Sequence, residues 1–311
     1  MIRVLFIGLG NMGGPMAQNL LSAGVELSVF DTDVDKMTPL VGAGAASVSS
    51  VAEGAAQADI IMTSLPGPAQ VESVGAELFA SLNPDSVWID LSTNDLACAR
   101  RLEAHATAAK VSLLDAPVTG GAEGAAAGTL SVLVGGDEKV HARCAPIFEA
   151  IGSRYGLLGP YGAGYVAKIA SVTLCYTQSV CLTEALLLGA KGGVDPAAML
   201  DVIQNSTGRS YVADRYGPEI LNGGYDDTFA LELAVKDLRL ASEMATHVGA
   251  DLTFADSVLD LYRSTVDTFG ADAPHLIAMQ AIERRNDLIF HHRDNRAPTE
   301  VEHNDQHSTP Q

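Results

Sequence analysis

The sequence predicts an α/β fold: a doubly wound parallel sheet followed by an all-α domain, with a long helix joining the two. Three observations carry this prediction. Strand-like apolar segments alternate with Ala-rich helical stretches through the first half of the chain. A GxGxxG loop stands between the first strand and the first helix. Strand signals almost vanish beyond Lys191-Gly-Gly193.

Residues 2–8 read as a mostly apolar strand that ends in glycine, Met12 to Ala23 as a helix, and Val25 to Phe30 as a second strand. Further strands are expected at Asp59–Ser64, Ser86–Asp90, Val111–Asp115 and Leu130–Val134. Their apolar character on both faces indicates a parallel sheet covered on both sides. The alternation stops near Gly162-Ala-Gly164, which places a first domain at residues 1–162. Residues 165–190 read as one helix, apolar on nearly every face, which has to be buried between domains or between subunits. Helices follow at Pro196–Asn205, Leu231–Val248, Ala255–Phe269 and Ala273–Arg285, giving a helical domain at 163–290. From about His291 the composition turns polar, and 291–311 reads as a disordered tail.

Composition narrows the function classes. Lys plus Arg is 19 against 38 Asp plus Glu, a formal charge of −19. Nucleic acid and anionic membranes both call for a basic surface, so neither is an expected partner. A hydrophobic share of 47% supports a packed core rather than a disordered chain. Between Lys168 and Glu184 lie 15 uncharged residues, fewer than the ~20 a membrane helix needs, and Gln178 interrupts them. Cys98, Cys144, Cys175 and Cys181 form no CxxC pair and no zinc-type cluster with histidine, so they read as buried free thiols with no metal site. The start of the chain has no signal-peptide cleavage region, and a cytoplasmic location is expected. The apolar surface of the long helix predicts a homodimer or homotetramer.

Gly8-Leu-Gly10-Asn-Met-Gly13 follows a strand and opens a helix, the context that marks a Rossmann-type dinucleotide site. Gly8 permits the tight turn, Gly10 lets backbone approach a pyrophosphate, and Gly13 lets the helix pack on the strand. The phosphates would sit on N–H groups at the helix N-terminus. Asp31 ends the second strand 18 residues after Gly13, where a carboxylate accepts both ribose hydroxyls. It would repel a 2′-phosphate, and no arginine follows it, so NAD(H) is favoured over NADP(H); Lys36 is the counter-argument.

Four segments together resemble the β-hydroxyacid dehydrogenase family. They are Gly8 to Leu20, Asp115-Ala-Pro-Val-Thr-Gly-Gly121 continuing to Gly128-Thr-Leu130, Gly162-Ala-Gly164 with Lys168 on the helix after it, and Phe229 followed by Lys236-Asp-Leu238. The resemblance runs from Ile2 to about Leu288. It implies a nicotinamide-dependent oxidoreductase that interconverts a β-hydroxyacid and its semialdehyde. By family position Asn11, Met12, Leu65, Pro66, Gln70, Thr93 and Lys236 line the cofactor. Thr119, Gly120 and Gly121 match the loop for the substrate carboxylate, with threonine where the family usually has serine. Lys168 matches the catalytic lysine, and Phe229, Lys236 and Asp237 match residues that close the site from the helical domain.

Hydride transfer to a carbonyl leaves an alkoxide, which requires a cation and proton donor within hydrogen-bond reach. Lys168 suits that role as the only charge before Glu184 on an otherwise apolar helix. The chain departs from the family one turn further on, where an asparagine is usual and Val172 stands. Either Ser171 partly substitutes for the missing amide, or the substrate is larger and less polar than 3-hydroxyisobutyrate. The same change keeps an imine reductase-like activity on a bulkier substrate as the alternative, although those proteins usually replace the lysine. Arg209 reads as a surface residue, Trp88 as core, and Tyr211 and Tyr216 as packing residues.

Overall fold

The computed structural model describes residues 2–291; apart from His291, the expected polar tail lies outside the described residues. The strands are β1 (Arg3–Ile7), β2 (Glu26–Phe30), β3 (Ala46–Ser47), β4 (Ile60–Thr63), β5 (Val87–Asp90), β6 (Ser112–Asp115), β7 (Val118–Thr119), β8 (Leu130–Gly136) and β9 (Gly152–Gly159). Among and after them run α1 (Gly13–Ser22), α2 (Thr38–Gly42), α3 (Val51–Ala55), α4 (Pro68–Phe79), α5 (Leu96–Ala109), α6 (Gly121–Ala127) and α7 (Glu138–Ile151). The helical remainder is α8 (Ala163–Lys191), α9 (Pro196–Gln204), α10 (Tyr211–Arg215), α11 (Gly217–Asn222), α12 (Leu231–Val248), α13 (Thr253–Phe269) and α14 (Ile277–Arg285).

The sheet runs β3-β2-β1-β4-β5-β6-β8-β7, with β9 on β8. From β3 to β6 every pairing is parallel, which is the Rossmann order expected. The strand expected at Leu130–Val134 is different: β8 runs antiparallel to β6. The chain between them forms the short β7, which pairs antiparallel with β8, and the seven-residue α6, so it folds back on the same strand instead of crossing the sheet. Side chains alternate along β1 so that Val4 and Phe6 enter one apolar layer and Leu5 and Ile7 the other. Trp88 belongs to the second layer, buried as expected, and its indole N–H donates to Thr63 Oγ1 at 2.9 Å.

The chain forms two compact units. The first comprises Met1–Leu174 with Lys236–Asp256, the second Cys175–Val235 with Ser257–Gln311. The last strand ends at Gly159, and the first compact unit continues into α8 and takes in most of α12. The reason is packing: Ile169 of α8 is buried with Leu240, Ala241 and Met244 of α12, against Leu96. Within the second unit, His275 Nε2 lies 3.1 Å from Asp226, and the rings of Tyr176, Tyr216 and Phe229 stand steeply inclined around the imidazole.

Two expectations about burial are corrected. At 29 residues α8 is long and apolar enough, by length and composition alone, to cross a membrane. Within one chain Val166, Leu174, Cys181 and Leu188 are exposed at spacings of 8, 7 and 7, one stripe along the helix. Cys181 is therefore an exposed thiol and Cys175 a half-buried one, while Cys98 and Cys144 are buried, with burial pushing their thiols up to about 12 and about 11. Arg209 pairs with Asp214 on the surface, and Tyr211 is exposed rather than packed inside.

The helix–strand contact at the start of the chain is tightest at Gly13, where a Cβ would fall on the carbonyl oxygen of Gly8. Gly13→Ala is expected to cost about 3 kcal/mol, the upper end for overpacking, because backbone cannot give way as a side chain can. Denaturant unfolding of the variant checks this.

Candidate active site

The parallel strands β1, β4, β5 and β6 all end at one edge of the sheet, and the loops leaving them carry most of the predicted site residues. Gly8 turns the chain off β1 with φ +90°, a conformation that favours glycine, and its N–H donates to Phe30 O at 3.0 Å. Asp31, at the end of β2, accepts from Leu9 N at 2.7 Å and from Asp33 N at 2.8 Å. The carboxylate thus ties the glycine loop to the second strand. Gly10 faces open space, and the first turn of α1 has no side-chain cap at Met12. Gly14 N donates to Gly10 O at 3.0 Å and Met16 N to Met12 O at 3.3 Å, so in this turn an anion would meet the Gly13 N–H, and Asn11 beside it is exposed. This cradle fits the pyrophosphate and ribose of a nicotinamide dinucleotide.

Beyond β4, Leu65 N donates to Ser92 Oγ at 2.9 Å, which joins the Leu65–Pro66 turn to the loop after β5. Pro66 and Gln70 are exposed and Thr93 is half-buried at that edge. Lys236 reaches back from α12 and donates to Pro66 O at 3.0 Å, while its Nζ lies 3.2 Å from the buried Asp237. The structure therefore brings Lys236 and Asp237 to the strand-end loops of the first unit. Phe229 belongs to the second unit, where its ring lies 5.7 Å from that of His275.

At the end of β6, Asp115 is fully buried. It accepts from Gly162 N at 2.6 Å and from Tyr165 N at 2.8 Å, so it holds the first turn of α8. Burial pushes its carboxyl up to about 6, while these backbone hydrogen bonds pull the other way. Lys168 follows on the same face, three residues after Tyr165 and four after Gly164, and is half-buried. Val172 is half-buried one turn beyond, and Ser171 is exposed. Thr119 is half-buried in β7, paired with Ser131 of β8, and leads into the exposed Gly120 and Gly121. Gly164 sits so close to β8 that a Cβ there would fall on Leu133 O, so the Lys168 helix and the Thr119 loop border the same strand.

Sequence reasoning missed two residues of this edge. Asp90 is buried and accepts from Thr63 Oγ1 at 2.7 Å, Ser92 Oγ at 2.6 Å and the Tyr165 hydroxyl at 2.7 Å. Burial first, and the Asp90 charge next, hold the Tyr165 phenol well above its usual range, so it remains the donor. The only available signal was an aspartate closing an apolar strand just before Ser92 and Thr93. Tyr165 gives no local signal at all. Among the described residues no cluster of His, Cys, Asp and Glu could hold a metal ion.

Comparison with known proteins agrees with this architecture. Residues 3–159 match the family described as the NAD binding domain of 6-phosphogluconate dehydrogenase. Residues 162–282 match that described as NAD-binding of NADP-dependent 3-hydroxyisobutyrate dehydrogenase. The chain is 35% identical to an NAD-dependent L-serine dehydrogenase of Pseudomonas aeruginosa, over 85% of this chain and 92% of that protein. It is 37% identical to a 3-hydroxyisobutyrate dehydrogenase of the same organism, over 88% and 95%. The structure of a Mycobacterium tuberculosis 3-hydroxyisobutyrate dehydrogenase with L-serine superposes with a TM-score of 0.86 at 31% identity, covering 91% of this chain and 99% of that one. The chain thus belongs to the β-hydroxyacid dehydrogenase family, as a nicotinamide-dependent oxidoreductase acting on a hydroxyl group.

Proposed function

We propose that this chain oxidises the hydroxyl group of a small β-hydroxy carboxylate to the semialdehyde, or runs the reverse reaction, with NAD(H) as cofactor and Lys168 as the proton-transfer residue. One observation carries the reading. The first turn of α8 is bound to the end of β6 through Asp115, so Lys168 lies at the edge that also holds the glycine loop. A nicotinamide cofactor bound at the glycine loop would supply the hydride chemistry. In oxidation the Lys168 amine accepts the hydroxyl proton as the hydride leaves; in reduction the ammonium returns it to the forming alkoxide. The Thr119 hydroxyl and the N–H groups of Gly120 and Gly121 hold the carboxylate. Asp237, on α12, closes the site on the side of the strand-end loops.

The substrate class is supported by what the relatives share. 3-Hydroxyisobutyrate and L-serine, named in two of them, both carry a hydroxyl β to a carboxylate. NAD preference rests on Asp31 at the ribose position. Lys36 lies 3.9 Å from Asp31 and 3.8 Å from Asp33, so its charge is already shared between two carboxylates. Val172 supports a substrate that fills the space of the usual asparagine with apolar bulk. It is also the observation that favours the second reading, a reductase of bulky imines. We further propose a cytoplasmic homodimer or homotetramer in which a second copy covers the exposed stripe of α8.

Replacing Lys168 with Ala is expected to lower kcat by about 10²–10⁴-fold, the range for losing general acid–base catalysis, when NADH formation is followed with 3-hydroxyisobutyrate and L-serine. Turnover within a few-fold of the parent would remove the lysine from the mechanism. Val172→Asn should improve turnover on these small hydroxyacids; no improvement would show that the missing amide does not set preference. If imines are reduced and hydroxyacids are not oxidised, the second reading holds. Sedimentation at micromolar concentration should give a dimer or tetramer, and Leu174→Glu with Leu188→Glu should give monomers. A monomeric parent would contradict the assembly.

A further inference from the structure

Asp90 and Asp115 are direct partners in the parallel register of β5 and β6, and both are buried. Each binds the same turn of α8 in a different way. Asp115 takes the turn by its backbone, one oxygen accepting from Gly162 N and the other from Tyr165 N. Asp90 takes it by a side chain, accepting from the Tyr165 hydroxyl. The other oxygen of Asp90 is held by Thr63 and Ser92, and Thr63 is held in turn by the Trp88 indole. Space for the Asp115 carboxylate exists because Gly135 and Gly164 lack side chains. A Cβ on Gly135 would fall on its Oδ1, and one on Gly164 would come within 2.8 Å of its Oδ2.

Stability alone is a poor explanation for this arrangement. Two neighbouring carboxylates buried at adjacent strand ends pay a desolvation cost that apolar residues of similar size would avoid. What apolar residues would not supply is direction. A helix packed only through Gly162-Ala-Gly164 and Ile169 is free to slide and turn on the sheet by small amounts. Two backbone bonds to one carboxylate fix the axial position of the first turn, and the Tyr165 bond to the other fixes its rotation. Lys168 is one turn along the same face.

We propose that Asp115, Asp90 and Tyr165 are positioning residues for Lys168, a paired-carboxylate clamp that sets where the lysine amine stands relative to the reacting hydroxyl. The proposal rests on Lys168 being the proton-transfer residue. None of the three touches substrate in this account; they act through the first turn of α8.

The test is Tyr165→Phe, which removes one hydroxyl and keeps the ring. Active sites are counted by titration with NADH fluorescence, and turnover on 3-hydroxyisobutyrate or L-serine is expressed per NADH-binding site. Kcat per site is expected to fall about 10–100-fold, the cost of misplacing a catalytic group by roughly an ångström, while the NADH Kd stays within twofold. A merely structural role predicts fewer binding sites or a lower Tm with kcat per site unchanged, and that result overturns the proposal. Asp115→Asn, which sets an amide N–H against a backbone N–H, is measured in the same way. It carries the decision if Tyr165→Phe does not fold. Lys168→Ala separates the two levels. If it abolishes turnover while the clamp variants keep theirs, the clamp fails and the lysine stands. If it turns over normally, both fall.

Discussion

The carboxylate of Asp115 beneath the first turn of α8 is the interaction on which the rest of the site depends. It lies at the end of a parallel strand, is fully buried, and accepts two backbone N–H groups that a helix start otherwise leaves without partners. The positive end of the helix macrodipole favours a negative group there. Through this contact a 29-residue apolar helix joins the sheet at one defined point. The packing of Ile169 on α12 then brings Lys236 and Asp237 to the same edge. Without the anchor, the lysine helix and the glycine loop would belong to separately placed parts of the chain.

The same logic governs the acidity of the molecule. A chain with a formal charge of −19 has to receive ligands that are themselves anions. In the proposed reading the strand-end edge would do so with backbone more than with cations: an uncapped helix start at Met12, a glycine at position 10 facing open space, and the Gly120–Gly121 turn. Cations near this edge are few and held in place. Lys36 is shared between Asp31 and Asp33, and Lys236 between Asp237 and the Pro66 carbonyl. Carboxylates here orient loops and helices, as Asp31 does for Leu9 and Asp115 for Tyr165.

Local patterns were legible in the sequence, and long-range ones were not. The glycine loop, the parallel strands β1, β2, β4, β5 and β6 and the span of α12 follow from periodicity and turn chemistry within short windows. The antiparallel β8 was not legible, because strand direction depends on how a short connection folds back. The two-residue strands β3 and β7 are too brief to show a period. In β9, most side chains are partly or fully exposed and three of the eight residues are glycine, so it carries no apolar alternation. Asp115 could be quoted as part of a motif, but its partners lie 47 and 50 residues away. The bond between Asp90 and Tyr165 spans 75. What covers the exposed stripe of α8 is not legible for a related reason: an apolar sequence says that a surface must be covered, and not whether the same chain covers it.

In the proposed reaction hydride would pass directly between the carbinol carbon of a β-hydroxy carboxylate and the nicotinamide at this strand-end edge. Incubating the enzyme with NAD+ and 3-hydroxyisobutyrate or L-serine, deuterated at the carbinol carbon, and reading the product by proton NMR tests it most directly. Direct transfer gives one deuterium at C4 of the reduced nicotinamide, on a single face, and a semialdehyde that retains the other deuterium. Reduced nicotinamide with only protium at C4, or none formed with either acid, would contradict it.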